Sequence, residues 1–245
     1  MRTINIGFGK PRFSRIELRD IALAITVLSV AFAFIYARGY GHLFSDDVVA
    51  NYLSWLAVSM VLVVMSFMLH EFGHKFAAQR YGAWAEFRMW PAGLGLALVS
   101  GFFGFLFAAP GAVYIQGGID DRANGRISLA GPAVNFGIAI AAILLWSVTV
   151  SPQNGLLSMV LFLLAYLNAF LGLFNMIPVP PFDGSKIFRW NAGVWIATAA
   201  VGAAPRRPSS TSSCTRDRST ATSANSIATK SPVDAVSATN ASSER

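Results

Sequence analysis

The chain has 245 residues, of which 54% are hydrophobic and only 13% are charged, whereas soluble domains carry about 25% charged residues. This composition excludes an ordinary soluble domain and indicates an integral membrane protein, with the lipid bilayer as its partner. The net charge of +7 does not indicate nucleic-acid binding, because the basic residues lie mostly in the tail and at the ends of apolar segments, where they set topology. The single cysteine, Cys214, excludes an internal disulfide and a cysteine-based metal site.

Four apolar segments are predicted to cross the membrane. They cover 21–37, 52–74, 127–150 and 156–177. Residues 1–20 contain five basic residues and are expected to form a cytoplasmic arm. A further apolar segment, 192–204, is shorter than the roughly 20 residues that a span needs. Residues 205–245 are rich in Ser, Thr and Ala and are expected to be disordered, and the abrupt change inside an incomplete span indicates a truncated or frame-shifted ending.

The second span ends in the sequence His70-Glu71-x-x-His74. On an α-helix, residues i and i+4 lie on one face about 5–6 Å apart, so the two imidazoles can bind one metal ion. The carboxylate of Glu71 lies beside them, where it can take a proton from an attacking water molecule. The pattern therefore predicts a zinc-dependent hydrolase, although two histidines that merely line a helix would show the same spacing.

Residues 92–116 decide the predicted topology. The segment is apolar and glycine-rich between Pro91 and Pro110, and it ends in the strand-like run 111–116. If it does not cross the bilayer, the ends of the second and fourth spans meet on one side, together with most basic loop residues. We therefore predict a re-entrant or β-hairpin segment that dips into the membrane. The N-terminus and the metal motif are then on the cytoplasmic side of a multi-pass cell-membrane protein.

A catalytic zinc site needs a third protein ligand, and Asp183 is the strongest candidate. It follows the fourth span behind three prolines, and it is the only acidic residue between Asp121 and Asp217. A carboxylate at a membrane boundary is costly to bury and tends to be functional. The alternative is that Asp183 caps a turn or pairs with Lys186. Three other acids remain open as ordinary solvated residues or ligands, namely Glu86, Asp120 and Asp121.

Three motifs together resemble the site-2 protease family of intramembrane zinc metalloproteases, peptidase family M50. They are His70-Glu71-x-x-His74, Gly131-Pro132-x-x-Asn135 and Asn175-x-x-Pro178-x-Pro180-x-x-Asp183-Gly184. The resemblance covers about residues 15 to 195 and is closest to the compact archaeal and bacterial members without a PDZ domain. Those members usually continue through a complete last helix, which this chain lacks.

The resemblance implies one Zn²⁺ ion bound by His70, His74 and Asp183, with Glu71 as the general base. It implies that Asn175 polarises the substrate carbonyl or holds the unwound substrate. The substrate is then a transmembrane protein or peptide, cut within or near its membrane segment during regulated intramembrane proteolysis. The implied fold is an all-α multi-pass membrane protein of about four complete transmembrane helices, with 21–204 as the protease domain and a small membrane-dipping β element.

Two other functions are compatible with parts of the pattern. A prenyl-peptide-type membrane zinc protease would take its third ligand from a downstream glutamate, for which Glu86 lies too close to the motif. A non-catalytic metal-binding scaffold, a transporter or an inactive relative would bind metal without cleavage, but a transporter would be expected to show paired repeats. The oligomeric state is left open by the sequence.

Overall fold

Four long helices dominate the computed structural model, which describes residues 13–42, 46–149 and 155–203. Within these residues, four helices are long and apolar enough to cross a membrane. They are Arg15–Gly39, Val48–Arg80, Asp121–Thr149 and Gly155–Asn175. They overlap the four predicted spans. The predicted fold class, a helical multi-pass membrane protein with a small β element, is confirmed. The first twelve residues and the predicted tail lie outside the described residues.

The elements follow one another along the chain as eight helices and two strands in the described part. They are α1 (Arg15–Gly39), α2 (Val48–Val63), a π-helical segment (Val64–Met68), α3 (Leu69–Arg80), β1 (Trp84–Met89), α4 (Pro91–Phe102), β2 (Gly111–Gln116), α5 (Asp121–Thr149), α6 (Gly155–Asn175), α7 (Asp183–Trp190) and α8 (Ala192–Ala203). The helix α1 begins within the predicted arm, because Ser14 caps it by accepting a hydrogen bond from the Glu17 backbone N–H.

The second long helix is continuous but changes its geometry just before the metal motif. The π-helical segment lies between α2 and α3, and such a segment inserts extra backbone into a helix, often at functional sites. The side chain of Ser66 in this segment is fully buried, as is that of Met68. Beyond this segment α3 packs against α5, where Gly73 allows the two helix backbones to approach closely: a Cβ there would lie 2.9 Å from the Ala130 carbonyl oxygen.

The segment 92–116 contains part of the predicted β element but does not form a hairpin by itself. Its first part is the helix α4, and the partner of β2 is β1, which precedes α4. The two strands are antiparallel, with Phe87 opposite Val113. Gly101 of α4 permits close packing: a Cβ there would lie 2.8 Å from the Ala31 carbonyl oxygen in α1. The lower helix propensity of glycine is offset by that contact.

The helices α5, α6 and α7 place the predicted third ligand beside α3. Ile187 of α7 is completely buried in a cluster with Phe136 of α5 and Met176. The chain reverses between α6 and α7, and Gly184 lies so close to Met176 that a Cβ would be 2.2 Å from its carbonyl oxygen. Only glycine fits at that position, and the reversal directs the start of α7 toward the metal motif.

Candidate metal centre

Three side chains from two distant parts of the chain converge on one point. The Nε2 atoms of His70 and His74 lie 3.1 Å apart, and they lie 3.4 and 3.0 Å from Oδ2 of Asp183. We call these three residues the donor cluster. It is the one group of three or more histidine, cysteine or acidic side chains with metal-binding spacing in the described part of the chain. The sequence-predicted ligands are therefore brought together.

Hydrogen bonds on the far side of each imidazole fix which nitrogen faces the cluster. His74 Nδ1 lies 2.8 Å from the Ile127 carbonyl oxygen, which can only accept, so this nitrogen carries the proton. His70 Nδ1 lies 2.6 Å from Asn135 Oδ1, which also accepts. Both Nε2 atoms therefore direct lone pairs toward each other, an arrangement typical of metal-binding histidines.

The donor set fits a zinc ion. Two lone-pair nitrogens and a carboxylate oxygen at 3.0–3.4 Å would repel one another without a cation between them. Donors on tetrahedral zinc, with bonds of about 2.0–2.2 Å, lie roughly 3.3–3.5 Å apart, and two histidines with one carboxylate are a familiar catalytic set. Zinc binds carboxylates in their ionised form, so Asp183 would hold the ion through a charged oxygen.

A buried polar network holds His70 in place, and sequence reasoning did not foresee its connections. Asn135 of α5 donates from Nδ2 to the Ser66 carbonyl oxygen at 2.9 Å and to Asn168 Oδ1 at 2.8 Å. Asn168 of α6 donates to the Ser66 hydroxyl at 2.8 Å. We call Ser66, Asn135 and Asn168 the polar network. Buried asparagines in apolar spans were the available signal, because polar groups inside a membrane need partners.

Gly131 of α5 leaves the space that the two imidazoles occupy. A Cβ built at this position would lie 2.4 Å from His74 Nε2 and 2.7 Å from His70 Cε1. Such distances are shorter than any ordinary contact, so a side chain would displace the donor atoms themselves. The Gly131-Pro132-x-x-Asn135 motif of α5 therefore supports the metal site in two ways. Gly131 leaves room for the histidines, and Asn135 binds His70.

The donor cluster lines a cavity of about 300 Å³, and the carboxylate of Glu71 lies in the same cavity. Its Oε2 accepts a hydrogen bond from the Val113 backbone N–H of β2 at 3.1 Å. Asn175 also lines this cavity, but its amide donates to the Leu171 carbonyl oxygen one turn earlier, at 3.0 Å. The structure thus places Asn175 on the cavity wall without bringing it into the donor cluster.

Two of the three alternative ligands have other partners. Glu86 accepts hydrogen bonds from Ser14 and Arg88, and Asp120 accepts one from the Ala123 backbone N–H at the start of α5. The alternative predicted for Asp183, an ion pair with Lys186, is present as a second contact. Lys186 Nζ lies 3.8 Å from Oδ1 of Asp183, while Oδ2 faces the histidines. A glutamate ligand of the prenyl-peptide type is therefore not supplied by Glu86.

Comparisons with known proteins agree with this chemistry. A family model described as Peptidase family M50 matches residues 149–194. The protein named "Putative zinc metalloprotease MJ0611" from Methanocaldococcus jannaschii is 39% identical over 186 residues, 75% of this chain and 89% of that protein. "Zinc metalloprotease MJ0392" of the same organism is 32% identical over 143 residues, 58% of this chain and 36% of that protein.

A third relative comes from a bacterium. "Putative zinc metalloprotease Rip2" from Mycolicibacterium smegmatis is 28% identical over 148 residues, 54% of this chain and 57% of that protein. No solved structure gives a significant match. The similarity to the first archaeal protein extends over most of both chains. With its donor cluster and its apolar helices, this membrane protein therefore belongs to peptidase family M50, the site-2 protease family, as a zinc metalloprotease.

Proposed function

We propose that the protein is an intramembrane protease of the site-2 type, which hydrolyses peptide bonds within or near the transmembrane segments of membrane proteins. The observation that carries the proposal is the donor cluster, with Glu71 beside it, in a cavity at the end of membrane-spanning helices. The proposed ligands of one zinc ion are His70, His74 and Asp183. We further propose that 21–204 form the protease domain.

Each residue of the site has a proposed role in hydrolysis. A zinc ion held by the donor cluster supplies a Lewis acid for the scissile carbonyl and the attacking water. Glu71 accepts the proton of that water and passes it to the leaving amine. Its bond to the Val113 N–H keeps the carboxylate aimed into the cavity. The side-chain oxygen of Asn175, on the cavity wall, is proposed to face the substrate.

The substrate is proposed to bind as an extended strand along β2. The carbonyls of a transmembrane helix are occupied by internal hydrogen bonds, so the helix must unwind before attack. Val113 directs its N–H away from β1 and toward the cavity, where Glu71 accepts it. The same edge of β2 is the one proposed for strand addition. Substrates with Gly, Pro or Asn near the cut should be preferred, because these residues weaken a helix.

The active-site end is proposed to face the cytoplasm of a cell-membrane protein, with the N-terminus on the same side. Basic residues concentrate at this end of the helices. In chain order they are Lys75, Arg80, Arg88, Arg122, Arg126, Lys186 and Arg189. This distribution follows the positive-inside rule. Cysteine-accessibility labelling of the loops in intact cells tests the orientation.

The test of the function is cleavage of a model transmembrane peptide by the purified full chain in detergent. We expect the wild type to cut the peptide and Glu71→Gln to cut it about 10²- to 10⁴-fold more slowly, because the general base is lost. The variant should bind zinc like the wild type, since Glu71 is not in the donor cluster. A wild type that binds zinc and cuts no peptide would identify a metal-binding scaffold or inactive relative instead.

A further inference from the structure

The helix that carries the metal motif contacts both strands of the small sheet. One contact is the bond between Glu71 and the Val113 N–H of β2. The other begins at Lys75, four residues later and therefore on the same face of the helix. Lys75 is completely buried, and its Nζ donates to the Ala85 carbonyl oxygen of β1 at 2.9 Å. The catalytic helix thus contacts the sheet at two points one turn apart.

A buried carboxylate from α1 closes this arrangement. Glu17 is completely buried, and both its oxygens accept hydrogen bonds from Lys75 Nζ at 2.7 Å. Its Oε1 also accepts the Phe87 backbone N–H of β1 at 3.0 Å. The Phe13 ring lies 4.5 Å from Lys75 Nζ and shields the pair. The ion pair between Glu17, which precedes the first predicted span, and Lys75 therefore connects α1, α3 and the sheet.

The contacts meet at one pair of facing residues. Phe87 of β1 is opposite Val113 of β2, and each directs its N–H outward: one to Glu17 and the other to Glu71. This is the pattern of a non-hydrogen-bonded pair in an antiparallel ladder. A second carboxylate repeats it, since Asp20 accepts the Met89 N–H two residues along β1 at 3.3 Å. The alignment of the sheet is thus fixed relative to the proposed base.

Stability alone does not account for this ion pair. Both charges lose their hydration, and replacing a buried ion pair with apolar residues of similar size is often neutral or stabilising. What the pair provides, and apolar residues would not, is directional bonding to one N–H and one carbonyl oxygen of β1. Because β-strands can slip by whole residues, such fixed contacts determine which backbone atoms of β2 lie beside the donor cluster.

We infer that Glu17 and Lys75 are positioning residues that set the register of the β2 edge against the donor cluster, and so determine which substrate bond is cut. The inference rests on the proposed function, because a substrate strand must bind along β2. The hydrogen bonds of both side chains go to each other and to β1, and not to a proposed zinc ligand. Their removal should therefore change where and how fast the substrate is cut, and leave zinc binding intact.

The test compares the double variant Glu17→Leu/Lys75→Met with Arg88→Met. Arg88 is a matched control, since it lies on the same strand and its ion pair with Glu86 stays within β1. Zinc content, cleavage products by mass spectrometry and hydrogen exchange of the peptide 111–116 are measured for each. For the double variant we expect a zinc content equal to that of the wild type and faster hydrogen exchange of the peptide 111–116. We also expect cleavage at neighbouring bonds and a kcat/KM reduced about 10²-fold, the scale of a 1 Å misplacement. The control should match the wild type.

Each outcome decides the inference separately from the proposed function. A double variant that cuts the same bond at the wild-type rate overturns the inference, and so does loss of zinc in parallel with activity, which would identify a purely structural pair. Should the double variant fail to fold, the variant Glu17→Asp replaces it, because it keeps both charges of the ion pair but has a shorter side chain. Cleavage at other bonds with full zinc content supports the inference, and cleavage at the wild-type bond overturns it. A wild type that cuts nothing contradicts the proposed function itself.

Discussion

The two ends of the α1 and α2–α3 helices are built from different chemistry. At the far end, Trp55 and Tyr36 pack in an apolar cluster, and among the described residues no acid, lysine, arginine or histidine is buried there. At the metal end, about 22–30 Å away along the second helix at 1.5 Å per residue, His70, Lys75 and Glu17 are all buried. Ionisable groups inside a membrane are expensive and mark function. The contrast locates the chemistry of the protein at one end.

The far end bonds to the backbone of the loop that follows α1. Trp55 donates from Nε1 to the Gly41 carbonyl oxygen at 2.9 Å, and its ring lies 5.6 Å from that of Tyr36. The polar network at the metal end connects residues up to 102 positions apart. A change at the far end should therefore lower stability alone, whereas a change at the metal end should alter zinc binding first.

Among the variants that compare the two ends, Gly131→Ala is expected to have the largest effect on zinc affinity. The new methyl group would overlap both imidazoles, so the donor atoms must move by more than the small tolerance of a metal site. We expect zinc affinity to fall by about 10²-fold or more, measured by competition with a chromophoric chelator. Gly137→Ala on the same helix is the control, because a Cβ there has open space around it. Equal zinc affinity in the two variants would contradict the described packing.

A smaller effect is expected from Asn135→Ala. The substitution removes the acceptor of His70 Nδ1 and leaves the Ser66 carbonyl oxygen without its donor. Partners of this kind typically contribute 10- to 100-fold in metal affinity or activity, so we expect a loss of about that size. Asn168→Ala, one bond further from the imidazole, should lose less. A larger loss of zinc affinity for Asn168→Ala than for Asn135→Ala would show that the network acts by another route.

The smallest effect is expected from Trp55→Phe at the far end. The variant keeps most of the aromatic packing but loses the hydrogen bond to Gly41, which should cost about 1 kcal/mol of stability. Thermal unfolding of the zinc-free protein should detect the change, while zinc affinity and kcat/KM stay at wild-type values. Loss of zinc in this variant would mean that the two ends are energetically coupled.

The sequence predicted those features that depend on local spacing or on composition. The apolar lengths predicted the four spans, and the i, i+4 spacing predicted that His70 and His74 share a face. Asp183 could be selected because it stands alone among apolar residues and prolines. These inferences needed no knowledge of which helices pack together.

The remaining features depend on contacts between distant residues. The strand β1 was not predicted, because Glu86 and Arg88 make it read as a polar loop until β2 pairs with it. The contact of Gly101 in α4 with the backbone of α1 depends on how these two helices pack, which local spacing does not reveal. Glu17 belonged to a segment predicted as a cytoplasmic arm, and its pairing with Lys75 explains why it is buried.

Asp183 is proposed to bind zinc together with His70 and His74, and the zinc content of the metal-reconstituted protein, measured by mass spectrometry, decides whether it does. We expect about one zinc per wild-type chain, a loss of nearly all of it in Asp183→Ala, and full retention in the control Glu86→Ala, whose carboxylate binds Ser14 and Arg88 instead. An Asp183→Ala protein that is folded and holds zinc as tightly as the wild type would show that Asp183 is not a ligand.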